Sequence, residues 1–264
     1  MKKGLLIDLT LCIGCGACTE ACKVQNKLPG EVEPELTGYT WASLETHETD
    51  EGDEIYVRRL CMHCEEPACA SVCPVAAFEK TDTGAVIYKS ERCIGCRYCM
   101  VACPFSVPKY QWDKTFPFVQ KCILCYDLVK DGEQTACAKV CPTEATLFGD
   151  RESLLQIARR RIEKDPGKYV DHIYGEHEVG GTSVMFLSSV PFEQLGFRTD
   201  LTRKPLPSFT WGVMSLVPNI ISLGGLTLFG TWWIINRRMK LARERLEQEQ
   251  NQEESENKLS EGSE

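Results

Sequence analysis

Basic residues are in short supply in this chain: 30 lysines and arginines face 38 aspartates and glutamates, for a net charge of −8 and a sequence pI near 5.2. Binding to phosphate backbones needs a footprint of positive charge, and no basic stripe exists, so a nucleic-acid partner is not expected. The opening Met1-Lys2-Lys3-Gly4 passes directly into Leu5–Leu11 without the apolar core and cleavage site of a signal peptide. No targeting peptide is expected. Between Leu28 and Val57 there is no lysine or arginine at all, against nine acidic residues. That composition predicts a solvated loop, with an electrostatic docking face as the alternative. Only four histidines occur, and one of them, His63, lies in a cysteine-rich loop, where a hydrogen bond rather than metal ligation is expected of it.

What the chain has in quantity is cysteine. Its 16 cysteines fall into four runs of four: Cys12, Cys15, Cys18, Cys22; Cys61, Cys64, Cys69, Cys73; Cys93, Cys96, Cys99, Cys103; and Cys122, Cys125, Cys137, Cys141. None is left over. The first and third runs read C-x2-C-x2-C-x3-C, the bacterial ferredoxin spacing, in which three close thiolates hold one iron-sulfur cube and the fourth reaches a neighbouring one. Structural zinc favours two separated C-x2-C pairs and has no use for a third cysteine inside each short loop. Eight disulfides would require an oxidising compartment and suit a small secreted chain. Pro74, Pro104 and Pro142 follow the last cysteine of three runs, where a fixed φ turns the backbone away. Gly14 and Gly95 allow the backbone to bend close to an inorganic core, and Ile13, Ile94 and Ile123 can exclude water from it. The spacing therefore predicts an electron wire whose sixteen cysteines are all iron ligands, with no catalytic residue. Metal-thiolate bonds would supply much of its order, so the apoprotein should fold poorly.

A length of 264 residues with 43% hydrophobic side chains bounds the chain at one or two domains. The segments Ile7–Cys15 and Ile87–Cys96 echo one another, each a short strand feeding a ligand loop, which suggests duplication. Glu79–Tyr88 reads as a β-hairpin around Gly84. The expected fold class is α+β, two ferredoxin-like double-[4Fe-4S] modules in a pseudo-twofold repeat followed by one C-terminal transmembrane helix. The first module would comprise residues 1–26 and 111–150, with an acidic insert at 27–60, and the second residues 59–110. Residues 151–207 would form a helix and an extension, with Asp150 capping a helix to about Lys164 and Arg159, Arg160 and Arg161 on its wet side.

Thr210–Ile235 contains 26 residues without a charged side chain, enough to span a bilayer with some tilt. Trp211 lies near one edge and Trp232 and Trp233 near the other, as interfacial aromatic belts require. Residues 208–236 are thus expected to cross the membrane, kinked near Pro218 and Asn219. No histidine occurs in the span to ligate haem. Arg237, Arg238, Lys240, Arg243 and Arg245 outnumber Arg198, Arg203 and Lys204 on the other flank, so the positive-inside rule places the tail in the cytoplasm and the cysteine-rich part outside. Residues 237–264, basic and then acidic, are expected to be disordered.

These features resemble the four-cluster iron-sulfur subunits of membrane-bound respiratory oxidoreductases, the β subunit of formate dehydrogenase and its counterpart in uptake hydrogenase. The resemblance spans residues 5 to about 236. It rests on Cys61-Met62-His63-Cys64, on the run from Cys93 to Phe105, on Cys122-x2-Cys125-x11-Cys137-x3-Cys141-Pro142, and on Tyr174-Gly175-Glu176-His177 followed by Val179-Gly180-Gly181-Thr182. It implies crossed ligation of four [4Fe-4S] clusters: Cys12, Cys15 and Cys18 with Cys141; Cys122, Cys125 and Cys137 with Cys22; Cys61, Cys64 and Cys69 with Cys103; and Cys93, Cys96 and Cys99 with Cys73. It further implies a non-catalytic electron-transfer subunit in the respiratory chain at the cell inner membrane, its cluster domain periplasmic. The implied partners are a large catalytic subunit, either nickel-iron hydrogenase or molybdenum/tungsten formate dehydrogenase, and an integral quinone-linked membrane subunit. Family members without a leader resemble proteins exported already folded beside a twin-arginine-bearing partner. The stretch Tyr174–Leu195 resembles the hydrogenase branch more closely. The alternative is an autonomous iron-sulfur oxidoreductase with a substrate-reducing cluster, which would need an open iron site, and no run lacks a ligand.

Overall fold

A computed structural model describes residues 2–49 and 52–261, with side chains described to residue 252. It contains strands β1 (Lys3–Asp8), β2 (Ser43–Glu48), β3 (Glu54–Arg59), β4 (Phe78–Lys80), β5 (Val86–Tyr88), β6 (Lys109–Tyr110), β7 (Val119–Gln120), β8 (Thr146–Asp150) and β9 (Val184–Leu187). The helices are α1 (Ala17–Asn26), α2 (Ala68–Ser71), α3 (Tyr98–Ala102), α4 (Tyr126–Lys130), α5 (Ala136–Lys139), α6 (Arg151–Lys164), α7 (Leu206–Met214) and α8 (Val217–Glu261). The chain divides into two compact units, Met1–Phe209 and Thr210–Glu264.

In the first unit, β1 is the centre of a three-stranded sheet, antiparallel to β8 and parallel to β9. A strand covered on both faces can be apolar at every position, and Leu5, Leu6 and Ile7 are all buried, as are all four residues of β9. Successive side chains point to opposite faces. Leu6, Met185 and Leu187 thus meet Leu154, Leu155 and Ala158 of α6, while Leu5, Ile7, Val184 and Phe186 face Leu60, Met62 and Leu124 beside the cysteine loops. Asp8 ends β1 fully buried, where its carboxylate accepts from Thr10 N–H, Thr10 Oγ1, Tyr169 OH and Arg161 Nη1 at 3.1, 2.7, 2.9 and 2.6 Å.

The expected echo is present locally. Strand β1, a 3-10 turn at Leu9–Leu11 and α1 surround the first cysteine loop, and β5, a 3-10 turn at Ser90–Arg92 and α3 surround the third. β4 and β5 form the hairpin expected at Glu79–Tyr88. Strands β1 and β8 tie the first run of cysteines to the last.

Four expectations change. The acidic insert is not all loop, because β2 and β3 pair as a hairpin that buries Val57 and Arg58. Asp150 stands at the N-cap position of α6 without capping it, since its carboxylate binds Lys3 Nζ at 2.8 Å instead. Arg161 leaves the wet side to pair with Asp8, whose buried charge needs a cation. The tail expected to be disordered continues α8 to Glu261, and residues 262–264 lie outside the described residues. Residues 231–261 contain neither glycine nor proline and are rich in Glu, Gln, Arg and Lys, all good helix formers, and Lys240 and Glu244 pair at i,i+4.

Within Leu206–Gln252 lies the one helical stretch among the described residues long and apolar enough to cross a membrane. Its interruption at Ser215 and Leu216 separates α7 from α8, so the break expected near Pro218 falls just ahead of it. Pro218 occupies the first turn of α8, where its missing N–H costs nothing.

Candidate metal centre

Each ligand loop is shaped by a few positive-φ residues. Gly14 and Gly95 take φ of +71°, and a Cβ at Gly14 would strike the Tyr56 ring. After each of three last cysteines the chain makes the same turn: Ala76, Ser106 and Glu144 have φ near +50° and return N–H bonds to the carbonyls of Cys73, Cys103 and Cys141 at 3.2, 3.1 and 3.4 Å. Pro74, Pro104 and Pro142 fix the second position of these turns, as expected.

The turns sort the sixteen thiols across runs. Cys141 lines one pocket with Cys12, Cys15 and Cys18. Cys22 lines another with Cys122, Cys125 and Cys137. Burial pushes the Cys22 thiol up to about 12, with Cys137 and Cys125 adding to the shift. Burial likewise lifts Cys64 well above the usual thiol range, reinforced by Cys61, Cys103 and Cys69. Cys99 is pushed up to about 11 by burial and by Cys93, Cys96 and Cys73. Each of the four groupings thus joins thiols of two runs. Two sets also touch others: Cys122 feels Cys61, and Cys69, pushed up to about 12 chiefly by burial, feels Cys99. Cys15 and Cys96 are exposed.

Cys141 alone has a thiol pKa lowered from the ordinary value: burial opposes the thiolate, but backbone N–H groups of Thr146, Thr143 and Ala145 and the Thr143 hydroxyl outweigh it. Other sulfurs accept N–H bonds from Ala77 (Cys73, 3.2 Å), Gly95 (Cys93, 3.4 Å), Leu124 (Cys122, 3.4 Å) and Asn26 Nδ2 (Cys22, 3.6 Å).

Among the described residues, no group of three His, Cys, Asp or Glu side chains could hold a metal ion. A zinc tetrahedron with bonds of about 2.3 Å would gather its sulfurs tightly. Thiols of two runs facing a common space suit a larger inorganic core. The buried polar atoms agree. His63 Nε2 is buried without a hydrogen-bond partner in the protein, and the buried Arg58 guanidinium and Tyr88 hydroxyl have only weak sulfur partners beside them, Cys18 and Cys93. Donors left over beside thiols suit a group that presents acceptor sulfides. His63 itself receives the Val86 N–H on Nδ1 at 2.9 Å, the loop hydrogen bond expected of it, and burial holds its pKa well below the usual range.

Sequence reading missed Arg58 and Lys121, both 2% exposed. Lys121 Nζ donates to the carbonyls of Val86 and Cys122. Their positions just before Cys61 and Cys122 were the available signal. The Tyr174–Thr182 stretch and the start of β9 serve the second loop: the Gly181 carbonyl accepts from Glu65 N–H at 2.9 Å, and Ser183 and Val184 N–H bond to the carbonyls of His63 and Met62 at 3.1 and 3.2 Å.

The mixed helix and sheet content and the thiol sets define a ferredoxin-type iron-sulfur protein. Two 4Fe-4S dicluster domain signatures match, at residues 11–77 and 53–151. The chain is 41% identical over 254 residues to a protein of Nitratidesulfovibrio vulgaris, covering 91% of this chain and 69% of that one. It is 37% identical over 234 residues to hydrogenase-2 operon protein HybA of Escherichia coli O157:H7, covering 73% and 71%. Over 197 residues it is 38% identical to the nitrate-inducible formate dehydrogenase iron-sulfur subunit of E. coli K12, covering 69% and 66%. The chain belongs to this family of ferredoxin-type iron-sulfur subunits of hydrogenase and formate dehydrogenase.

Proposed function

We propose that this chain passes single electrons through four [4Fe-4S] clusters between a catalytic subunit and a quinone-linked membrane subunit, and catalyses no reaction alone. The observation that supports the reading is that thiols of two different runs neighbour one another, Cys141 beside Cys12, Cys15 and Cys18, and Cys22 beside Cys122, Cys125 and Cys137. Cys12, Cys15, Cys18 and Cys141 hold one cluster; Cys22, Cys122, Cys125 and Cys137 the second; Cys61, Cys64, Cys69 and Cys103 the third; Cys73, Cys93, Cys96 and Cys99 the fourth. The outer runs make one module, residues 1–26 and 111–150, and the inner runs the other, residues 59–110, related by duplication. Each cluster, when bound, supplies a one-electron couple tuned by hydrogen bonds, charge and exposure.

The protein's part is to hold and shield. Leu5, Leu60 and Leu124 keep water from the second set, and Ala77, Gly95 and Leu124 direct N–H groups at sulfur. Proximity of Cys122 to Cys61, and of Cys69 to Cys99, supports the order first, second, third, fourth, with exposed Cys15 and Cys96 near its ends. The apolar helix anchors the chain in the inner membrane, tail cytoplasmic and clusters periplasmic. The partner is a nickel-iron hydrogenase, or in the second place a formate dehydrogenase. Co-purification followed by metal analysis tests this: nickel is expected, and molybdenum or tungsten would move the chain to the formate branch. The chain alone should take electrons from dithionite; turnover of hydrogen or formate by it would overturn the non-catalytic reading.

A further inference from the structure

Arg58 sits on β3 with its guanidinium sealed from solvent. Nη1 donates to Thr146 Oγ1 at 3.2 Å, the Cys18 sulfur is a second side-chain hydrogen-bond partner of the guanidinium, and among the described residues no carboxylate is paired with it. A buried cation without a counter-charge is strongly unfavourable. Its electrostatic neighbours are sulfurs, Cys137, Cys18 and Cys122, which come from both outer sets. It also lines both thiol cavities. Arginine keeps its charge under such burial.

We propose that Arg58 is a potential-setting residue shared by the first and second clusters, its fixed positive charge favouring the reduced form of both together. The inference rests on the cluster assignment above. Four thiolates around each core leave a loaded site net anionic, so one cation between two sites satisfies both. Adding an electron beside that cation is easier than without it, and the effect falls off before the inner pair, whose own buried cation is Lys121 near Cys69 and Cys103.

The test is a redox titration of the full chain, purified anaerobically and followed by electron paramagnetic resonance, with iron and sulfide counted on the same samples. Cys15→Ala and Cys64→Ala assign the outer and inner signals. In Arg58→Gln, two of four couples should fall by at least about tenfold in reduction equilibrium, about 59 mV for one electron, and these should be the outer two. Arg58→Lys should recover most of that loss. Thr146→Asp, which sets a carboxylate beside Nη1 and keeps the guanidinium in place, should lower the same two couples even if Arg58→Gln loses iron. Unchanged outer couples in Thr146→Asp, an equal fall in Arg58→Lys and Arg58→Gln, or a fall confined to the inner couples would each overturn the proposal. Failure of the underlying assignment shows separately, as a wild-type chain with too few irons for four cubes.

Discussion

Cys141 belongs by sequence to the fourth run and by position to the first, so pairs of alanine substitutions can show which it serves. With four cubes the wild-type chain carries about sixteen irons, and a thiolate lost from one cube puts up to about four of them at risk. Cys141 and Cys15 line one cavity, whereas Cys125 lines the other. Two substitutions on one cube should therefore cost no more than one, and two on different cubes should add, the ordinary logic of coupled and independent sites. Cys15→Ala with Cys141→Ala should leave about twelve irons, and Cys125→Ala with Cys141→Ala about eight. Iron and sulfide analysis gives the counts, and integrated paramagnetic resonance of dithionite-reduced samples gives the number of reducible centres. The opposite ranking, eight irons for the first pair and twelve for the second, would mean that each run keeps its own cube, and the crossed arrangement would fall with it.

Further outcomes follow from packing and charge. A Cβ at Gly4 would collide with the Ser183 carbonyl oxygen across β1 and β9, so Gly4→Val should destabilise the loaded protein by about 1–3 kcal/mol in thermal unfolding. Gly167→Ala, with nothing within 4 Å of its new methyl, should change it by less than about 0.5 kcal/mol; equal effects would refute the packing argument. His172 Nε2 and Glu178 Oε1 lie 2.8 Å apart, and that hydrogen bond raises the His172 pKa above 6.5. The half-exposed pair should add roughly 0.2–1 kcal/mol, present in full below about pH 6.5 and lost as pH rises through the raised folded value. His172→Gln should erase that slope of Tm against pH, and an unaltered slope would assign it elsewhere. A chain ending at Pro205 and expressed without partners should leave the membrane fraction, and its retention after an alkaline wash would deny the anchoring role of the apolar helix.

The ligand loops were legible because their chemistry is local. Spacing, the glycine at position 14 or 95 and the proline after three of the four last cysteines all act within a few residues, and the turns form as those residues dictate. The hairpin at Glu79–Tyr88 was legible for the same reason. Arg58 was not. It lies in a segment read as solvated because of its acidic composition, and only the pairing of β3 with β2 carries it inward. The role of Asp150 was hidden likewise, since its choice between capping α6 and binding Lys3 depends on β1 lying beside β8. The tail was misread because composition weighs charge against apolar content and ignores helix propensity, which needs no buried face when breakers are absent.

The central place of β1 has a bearing on biosynthesis. Its two flanking strands are encoded some 140 and 180 residues later, at Thr146–Asp150 and Val184–Leu187, so the earliest part of the polypeptide to leave the ribosome is among the last to find its neighbours. On the proposed ligation, Cys12, Cys15 and Cys18 would wait for Cys141, and the second loop waits for Ser183 and Val184 to support it. Iron delivered during translation would meet half-built nests. The topology instead favours insertion into a finished polypeptide, by donors that act after synthesis is complete.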